Sequence, residues 1–306
     1  MSTDYYIGFI KLSHFSVKEY LISQYAQNHA VKQVRDFSFS EESSHAVISL
    51  ICLAYLLQFR TFEPFAMKLD VSFPLAIYAA RYWIIHAHSG SKTKSQSSLI
   101  FASMMKLLTD ENAAFLNWVR LCDIDDYNHM NPQRQKDEIA KPLYYAPMAG
   151  LTEASSALVE MGADVNAQGG QHGNALNAAL NAGHETIAKL LIEKGADVNT
   201  QIEYYGHHWG EYPVNALYIA SDGGYEANTK LLIEKGADVN AQVGDYGNAL
   251  QAASFQGHEA IARLLIGKGA DVNAQGGRCG NALHAALIAG HEAIAKLLIE
   301  KGADVL

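Results

Sequence analysis

One recurring stretch of the chain decides the fold, and at residues 173–201 it has the sequence GNALNAALNAGHETIAKLLIEKGADVNTQ. Its Gly-Ala-Asp-Val string begins at five positions: Gly162, Gly195, Gly236, Gly269 and Gly302. The steps between these positions are 33, 41, 33 and 33 residues, so one unit contains an insertion of eight residues. A period of 33 residues is typical of a solenoid, in which similar units stack in a row.

Each unit predicts two short helices joined by a tight turn. Asn174 is a preferred helix N-cap, because its side-chain oxygen accepts a hydrogen bond from the first turn, and Gly183 ends that helix. A second helix follows His184, and Gly195 lies where the helix end needs a left-handed backbone, which glycine adopts without strain. Helices this short are marginal alone in water, so we expect each unit to be stable only against its neighbours.

These residues resemble the ankyrin repeat, with Asn-Ala-Leu-Asn at 174–177 in the place of that family's usual Thr-Pro-Leu-His. Five units are predicted, at 141–169, 170–202, 203–243, 244–276 and 277–306. The resemblance implies an all-α fold class, in which an N-terminal helical domain is followed by an ankyrin-repeat α-solenoid with short β-hairpin tips. It also implies that the chain binds other proteins through the tips and first helices, and that it has no intrinsic catalytic activity.

Two units depart from the pattern. Pro147 falls inside the first helix of unit one, where proline typically costs about 3 kcal/mol. In unit three, Asn228 takes the position of Ile187 and Ile261, which predicts either weaker local packing or a hydrogen-bonded amide. A histidine preceded by glycine recurs before the second helix, and we interpret these residues as structural: His184, His258 and His291.

The insertion in unit three is the most individual feature of the chain. It carries six large polar or aromatic side chains: Tyr204, Tyr205, His207, His208, Trp209 and Tyr212. Because Trp and Tyr dominate interface hot spots, one interpretation is an exposed loop that binds a partner. The alternatives are a lengthened hairpin whose rings fold back on the solenoid, or an unstructured loop. Two adjacent histidines without further ligands are a weak metal signal, so we predict neither a metal nor a cofactor.

Positions that differ between otherwise similar units extend this candidate partner-binding surface. They lie in the tips and at the third position of the first helices, at Tyr218, Asp245, Tyr246, Gln251, Arg278 and His284. Variation within a constant framework is typical of a recognition surface. It is equally typical of neutral drift at exposed positions, and both interpretations stay open here.

Before the repeats, residues 26–122 are expected to form a helical linker domain, and the polar stretch 123–140 a linker. Helices are predicted at 43–56, 75–86, 98–108 and 111–121. The first helix has two candidate N-caps, Ser43 and Ser44. The second has an apolar stripe formed by Tyr78, Tyr82 and Ile85.

The opening segment, 1–25, resembles the end of the winged helix that follows the NACHT nucleotide-binding module in NOD-like receptors. The matching residues are His14, Ser16, Glu19, Tyr20 and Leu21. Residues 45–56 and 74–83 look like the helical linker of fungal NACHT–ankyrin proteins. This resemblance implies the sensor half of a receptor for non-self recognition, cut from a longer protein. The chain lacks the phosphate loop of a NACHT module, so ATP hydrolysis is not expected.

Composition limits the partners. The chain has 306 residues and a formal net charge of -9 at pH 7. Most of the acidic excess lies in residues 141–306, which carry 10 basic and 18 acidic side chains. General binding to nucleic acid or anionic membranes needs clustered Lys and Arg, so these partners are not predicted. The charge favours a basic or amphipathic protein partner instead.

Three widely spaced cysteines, Cys52, Cys122 and Cys279, form no disulfide framework, and the first residues do not form a signal peptide. A cytoplasmic location is therefore expected. The sequence predicts a non-catalytic interaction protein. A plain ankyrin adaptor that recruits clients to another enzyme is one alternative, and an enzyme with an unrecognised site in the helical half is another. The second is disfavoured because the helical half shows no nucleophile–base spacing and no metal-ligand cluster.

Overall fold

The computed structural model describes residues 41–59, 75–90, 94–109, 113–126, 130–206 and 210–305. The segment 1–25, which resembles part of a winged helix, lies outside these residues. Within them the chain is mostly helical, and short helix pairs follow one another along the repeats. The all-α fold class with a solenoid of repeats is therefore confirmed.

In the described residues, the helices before the repeats are α1 (Glu41–Leu56), α2 (Ala76–Gly90), α3 (Lys94–Thr109) and α4 (Ala113–Leu121). A short 3₁₀ helix at Lys136–Glu138 leads into the first repeat. The helix pairs of repeats one to five are α5 (Pro142–Met148) and α6 (Thr152–Glu160), α7 (Ala175–Asn181) and α8 (Glu185–Glu193), α9 (Ala216–Asp222) and α10 (Glu226–Glu234), α11 (Ala249–Gln256) and α12 (Glu259–Gly267), and α13 (Ala282–Ala289) and α14 (Glu292–Glu300). The strands β1 (Ile202–Gly206) and β2 (Gly210–Val214) lie between α8 and α9 and pair antiparallel.

The predicted N-caps of the first helices are confirmed. The Asn174 side chain accepts a hydrogen bond from the backbone N–H of Asn177 at 2.8 Å. The same bond is made at α9, α11 and α13 by Asn215, Asn248 and Asn281. The second helices are amphipathic, and in α8 the side chains of Ile187 and Leu191 are buried. One face of each pair is therefore covered by the neighbouring repeats.

A ladder of asparagine side chains joins successive repeats. Asn240 is typical: its Nδ2 donates to the carbonyl of Gly269 at 3.1 Å, and its Oδ1 accepts from the N–H of Asp271 at 2.9 Å. Equivalent pairs of bonds are made by Asn166, Asn199 and Asn273. Each asparagine thus fixes the turn that follows the second helix of the next repeat.

The recurring histidines form a second connection between repeats. Nε2 of His258 lies 3.0 Å from the backbone oxygen of Asp222, and Nε2 of His291 lies 3.0 Å from that of Phe255. Each ring therefore ties the start of a second helix to the end of the first helix in the preceding repeat. This contact supports the structural interpretation of these histidines.

The two irregular repeats stay helical. Pro147 lies inside α5, as predicted. Asn228 is 2% exposed, and its Nδ2 donates to the backbone oxygen of Glu185 at 3.3 Å. Of the two alternatives for this position, the structure therefore shows the hydrogen-bonded amide.

Helices α1 and α2 pack closely because small residues face each other. A Cβ atom added at Gly90 would lie 2.3 Å from the backbone nitrogen of Ala46. Trp83, which is fully buried, packs edge-on against Trp118 with ring centroids 5.4 Å apart. The buried face of α2 therefore consists mainly of alanines around one tryptophan.

Two predictions for these helices were wrong. Tyr82 and Ile85 are 40% and 56% exposed, because bulky side chains on the α1 side would hold the two helices apart. Ser43 and Ser44 do not cap α1, because the helix already includes Glu41. The local pattern was compatible with either face of α2, and only the close approach of α1 selected the alanine face.

The polar segment before the repeats packs against them. Asp125 is buried; it accepts a hydrogen bond from the Tyr144 hydroxyl at 2.5 Å and another from the N–H of Gln171 at 2.7 Å. Burial, together with the charge of Asp125, raises the pKa of Tyr144 well above its usual range. The hydrophobic core continues without a break from Ala46 to Ala303. The helical domain and the repeats therefore share one core, and the domain boundary at residue 141 stays a prediction.

Substituting Asn240 by alanine removes both of its bonds to the next repeat. We expect the free energy of unfolding to fall by about 1–3 kcal/mol, at roughly 1 kcal/mol for each hydrogen bond. Gln242→Ala is the control, because the Gln242 side chain hydrogen-bonds within its own loop, to the Asn240 carbonyl at 3.4 Å, and to no residue of another repeat in the described part of the chain. Urea unfolding followed by circular dichroism measures both variants. Equal losses in the two variants would contradict the ladder.

Two glycine-to-alanine substitutions in helices should have opposite signs. Gly90→Ala is expected to destabilise the protein by about 1–3 kcal/mol, because the new methyl group overlaps the backbone of Ala46. At Gly267, in α12, an added Cβ meets nothing within 4 Å. Gly267→Ala should therefore stabilise by about 0.5–1 kcal/mol through helix propensity. Thermal unfolding distinguishes the two outcomes, and a Gly90→Ala variant as stable as the unmodified chain, or more so, would refute the close packing of α1 on α2.

Candidate functional site

The insertion in repeat three forms a lengthened hairpin. β1 and β2 pair along their whole length, which places Tyr204 opposite Tyr212 and Tyr205 opposite Glu211. The residues between the strands, His207, His208 and Trp209, lie outside the described residues. Among the described tips, this is the one with paired strands; the last tip has a single bridge, between Gly276 and Gly280. The described strands therefore follow the lengthened-hairpin alternative.

The hairpin forms one wall of a cavity of about 330 Å³ on the side of the solenoid made by first helices and tips. We call it the tyrosine cavity, after Tyr212, Tyr218 and Tyr246 in its lining. Its charged residues are Asp222, Asp245 and Arg278. The cavity therefore combines side chains from the insertion, from α9 and from the tips of repeats four and five.

Arg278 contributes a cation to the lining of the tyrosine cavity. Its guanidinium carbon lies 4.3 Å from the centroid of the Tyr246 ring and 5.0 Å from that of Phe255. Its Nε pairs with Oδ2 of Asp245 at 3.0 Å, and a terminal nitrogen donates to the Tyr246 hydroxyl. The cation is thus held by aromatic faces and a carboxylate together, a combination that stabilises cations in partly desolvated sites.

Asp222 is the second carboxylate in the lining of the tyrosine cavity. Its Oδ1 accepts a hydrogen bond from Nε2 of Gln256 at 2.9 Å. Burial raises the pKa of this carboxyl above its usual value, and the bond from Gln256, with the charges of His258 and Arg278, offsets part of that effect. The aspartate is therefore held in place by a neutral amide in a poorly solvated position.

The variable third position of the first helix contacts the next tip. Gln251 is fully buried, and its Nε2 lies 3.1–3.3 Å from three backbone oxygens, those of Ala274, Gly276 and Gly280. Gln251 is therefore not on an accessible surface, contrary to the sequence interpretation. Tyr218 is 6% exposed, and its hydroxyl accepts from the N–H of Tyr246 at 3.4 Å. Burial raises the pKa of Tyr218 well above its usual range.

The other predicted surface residues divide into three groups. Tyr212, Tyr218, Asp245, Tyr246 and Arg278 are brought together around the tyrosine cavity. His284 is exposed on α13, away from the cavity lining. Tyr204 and Tyr205 lie on β1, in register with β2.

Sequence reasoning missed Asp222 and its neighbours Asn181 and Gln256. In the sequence, Asp222 has the character of an ordinary polar residue at the end of a helix. A signal was nevertheless present, because the aligned positions in the first helices of repeats two to five differ in chemistry: Asn181, Asp222, Phe255 and Ile288. This position varies as much as the third helical position.

Other types of site find little support in the part of the chain that the structure describes. There, no three His, Cys, Asp or Glu side chains come together as metal ligands. The cysteines are buried thiols, and burial raises the pKa of Cys52 and Cys122 to about 11. None of the helices described has both the length and the apolar character needed to cross a membrane.

The geometry defines a class of protein: a stack of helix pairs, capped by asparagine and joined by polar tips, with a cavity on the tip side. The family model for ankyrin repeats (3 copies) matches residues 99–202 and 217–306, so the chain belongs to the ankyrin-repeat family. The gap between the two matches contains the hairpin except for its first residue, Ile202. The first match begins within α3, before the predicted start of the repeats.

One curated relative is the "Azaphilone pigments biosynthesis cluster protein L" of Monascus ruber. It is 32% identical over an alignment of 192 positions that covers 59% of this chain and 39% of the relative. The chain therefore matches about two fifths of the length of that protein. Ankyrin-repeat proteins act as protein–protein interaction modules and are generally non-catalytic.

Substituting Gln251 by alanine should reduce stability, because the turn at Gly276–Gly280 loses its side-chain donor. We expect a fall of about 1–3 kcal/mol in the free energy of unfolding. His284→Ala changes the same helical position in repeat five, where the side chain is exposed, and should stay within about 0.5 kcal/mol. Urea unfolding measures both. A neutral Gln251→Ala would show that this side chain does not hold the tip.

Proposed function

We propose that this chain is a non-catalytic protein-interaction module that binds a basic or amphipathic segment of a partner protein. The binding surface is the side formed by the first helices and tips, with the tyrosine cavity at its centre. The cavity is the observation that carries this proposal, because it gathers three tyrosines and two aspartates from different repeats. Tyrosines supply large contact area at low entropic cost, as in known interface hot spots.

The charge of the repeats supports the chemistry of the partner. Residues 141–306 carry 18 acidic and 10 basic side chains, so a basic segment is attracted to them over distances of about a Debye length. We place the interaction in the cytoplasm, where buried free thiols such as those of the described cysteines stay reduced.

The wider role that we propose is the sensor or scaffold part of a fungal NOD-like receptor. It is supported by the resemblance of His14 to Leu21 to the end of a NACHT-associated winged helix. The alternative is an ankyrin adaptor that recruits clients to another enzyme. Sequencing the transcript upstream of the Met1 codon distinguishes them: an encoded phosphate loop supports the receptor, and an in-frame stop codon without one supports the adaptor.

Selection of peptides tests the binding function directly. The full chain is immobilised and used to select from a phage-displayed library of random 12-residue peptides. Lysine and arginine should be enriched in the selected peptides, and Tyr212→Ala should weaken their binding by about tenfold or more, as at an interface hot spot. Fluorescence polarisation with labelled synthetic peptides measures the affinities.

Lys189→Ala is the control, because Lys189 is exposed on α8, outside the cavity lining. It should leave peptide affinity unchanged, and circular dichroism must show that both variants are folded. Selected peptides that bind Tyr212→Ala and the unmodified chain equally well would exclude the tyrosine cavity as the binding surface.

A further inference from the structure

Asp222 is a carboxylate that the repeat framework does not require. The aligned positions in repeats two, four and five are occupied by Asn181, Phe255 and Ile288. Asp222 is also the last residue of α9, where the negative end of the helix dipole disfavours an acidic side chain. An acid at this position therefore lowers the stability of the free protein unless something compensates for it.

The rest of the protein offsets the cost of this carboxylate only in part. Asp245, in the same cavity, is paired with Arg278 at 3.0 Å. Asp222 receives a hydrogen bond from the neutral amide of Gln256, and among the described residues no Lys, Arg or His side chain lies within 4.0 Å of its carboxylate oxygens. A carboxylate that is partly removed from water is stabilised most by a directly bound cation.

The neighbouring arginine shows how this cavity holds a cation. Arg278 lies over the Tyr246 ring at 4.3 Å from the centroid and pairs with Asp245. Asp222 shares the cavity with two further tyrosines, Tyr212 and Tyr218. A second cation would therefore find the same two chemical groups, an aromatic surface and a carboxylate.

The size of the cavity limits the ligand. A volume of about 330 Å³ is at the lower end of small-molecule sites, so it accepts a side chain rather than a helix. From these observations, we propose that the tyrosine cavity receives one lysine or arginine side chain of the partner, with Asp222 as its counter-ion. This inference rests on the proposed function, because the partner segment must first lie along this side of the solenoid.

A double-mutant cycle tests the pairing. The probes are the 12-residue peptides selected on the full chain, with each lysine or arginine replaced in turn by norleucine. One such replacement should weaken binding to the unmodified chain by about tenfold or more. The same replacement should change binding to Asp222→Asn by less than about twofold, because the counter-ion is already absent.

Two matched variants distinguish the effect of the charge on Asp222 from the effect of the net charge of the repeats. Glu300→Gln removes one negative charge from an exposed position on α14 and should retain the tenfold effect of norleucine. Glu234→Gln, at an exposed position on α10 in the same repeat as Asp222, should retain it too, because Glu234 lies outside the cavity lining. Circular dichroism and urea unfolding check that Asp222→Asn is folded, and asparagine already occupies the aligned position 181.

The outcomes are distinguishable. If peptides need Tyr212 but no basic residue couples to Asp222, the inference is overturned and the proposed function stands. If Glu234→Gln or Glu300→Gln abolishes the effect of norleucine as well, the inference is likewise overturned. If no selected peptide depends on Tyr212, the proposed function fails, and the inference falls with it.

Discussion

The whole molecule depends on contacts between successive repeats. A helix pair of seven and nine residues, such as α7 with α8, has too few internal bonds to be stable alone. Stability comes from burial against the neighbouring pairs and from bonds such as those of Asn240 to Gly269 and Asp271. Any surface with a fixed shape must therefore be assembled from several repeats, and the tyrosine cavity is an example.

The same dependence explains why variable residues are not all recognition residues. At the third position of the first helix, Tyr144 and Gln251 are both buried and both contact the following tip. A Cβ at Gly170 would overlap the Tyr144 ring, so the tip and the helix position have to match each other. Variation at this position therefore reflects pairing between repeats. His284, by contrast, is exposed and free of this constraint.

Charge is distributed unevenly within the cavity. One carboxylate is internally neutralised, because Arg278 binds Asp245 beside aromatic rings. The other carboxylate is Asp222, whose pKa is raised chiefly by burial. One of the two carboxylates is paired with a cation and the other is not, so the surface discriminates between ligands by charge. A neutral ligand side chain placed against Asp222 cannot replace the water that this carboxylate loses.

The sequence by itself determined the period, the helix pairs and their caps. These follow from local chemistry: Asn174 accepts a bond from its own first turn, and Gly195 takes the left-handed backbone whatever lies beyond it. The insertion was also visible as a departure from the period. Tyr212 could therefore be named as a candidate from the insertion, and Tyr218 from the variation at the third helical position.

Only the tertiary structure decided which faces are buried. Tyr82 is exposed because the approach of α1 favours the alanine side of α2, and Gln251 is buried because the next tip covers it. The role of Asp222 likewise depends on a hairpin and a tip that are distant in sequence. Burial is set by neighbours that local patterns do not specify, so the cavity became visible only when the repeats were stacked.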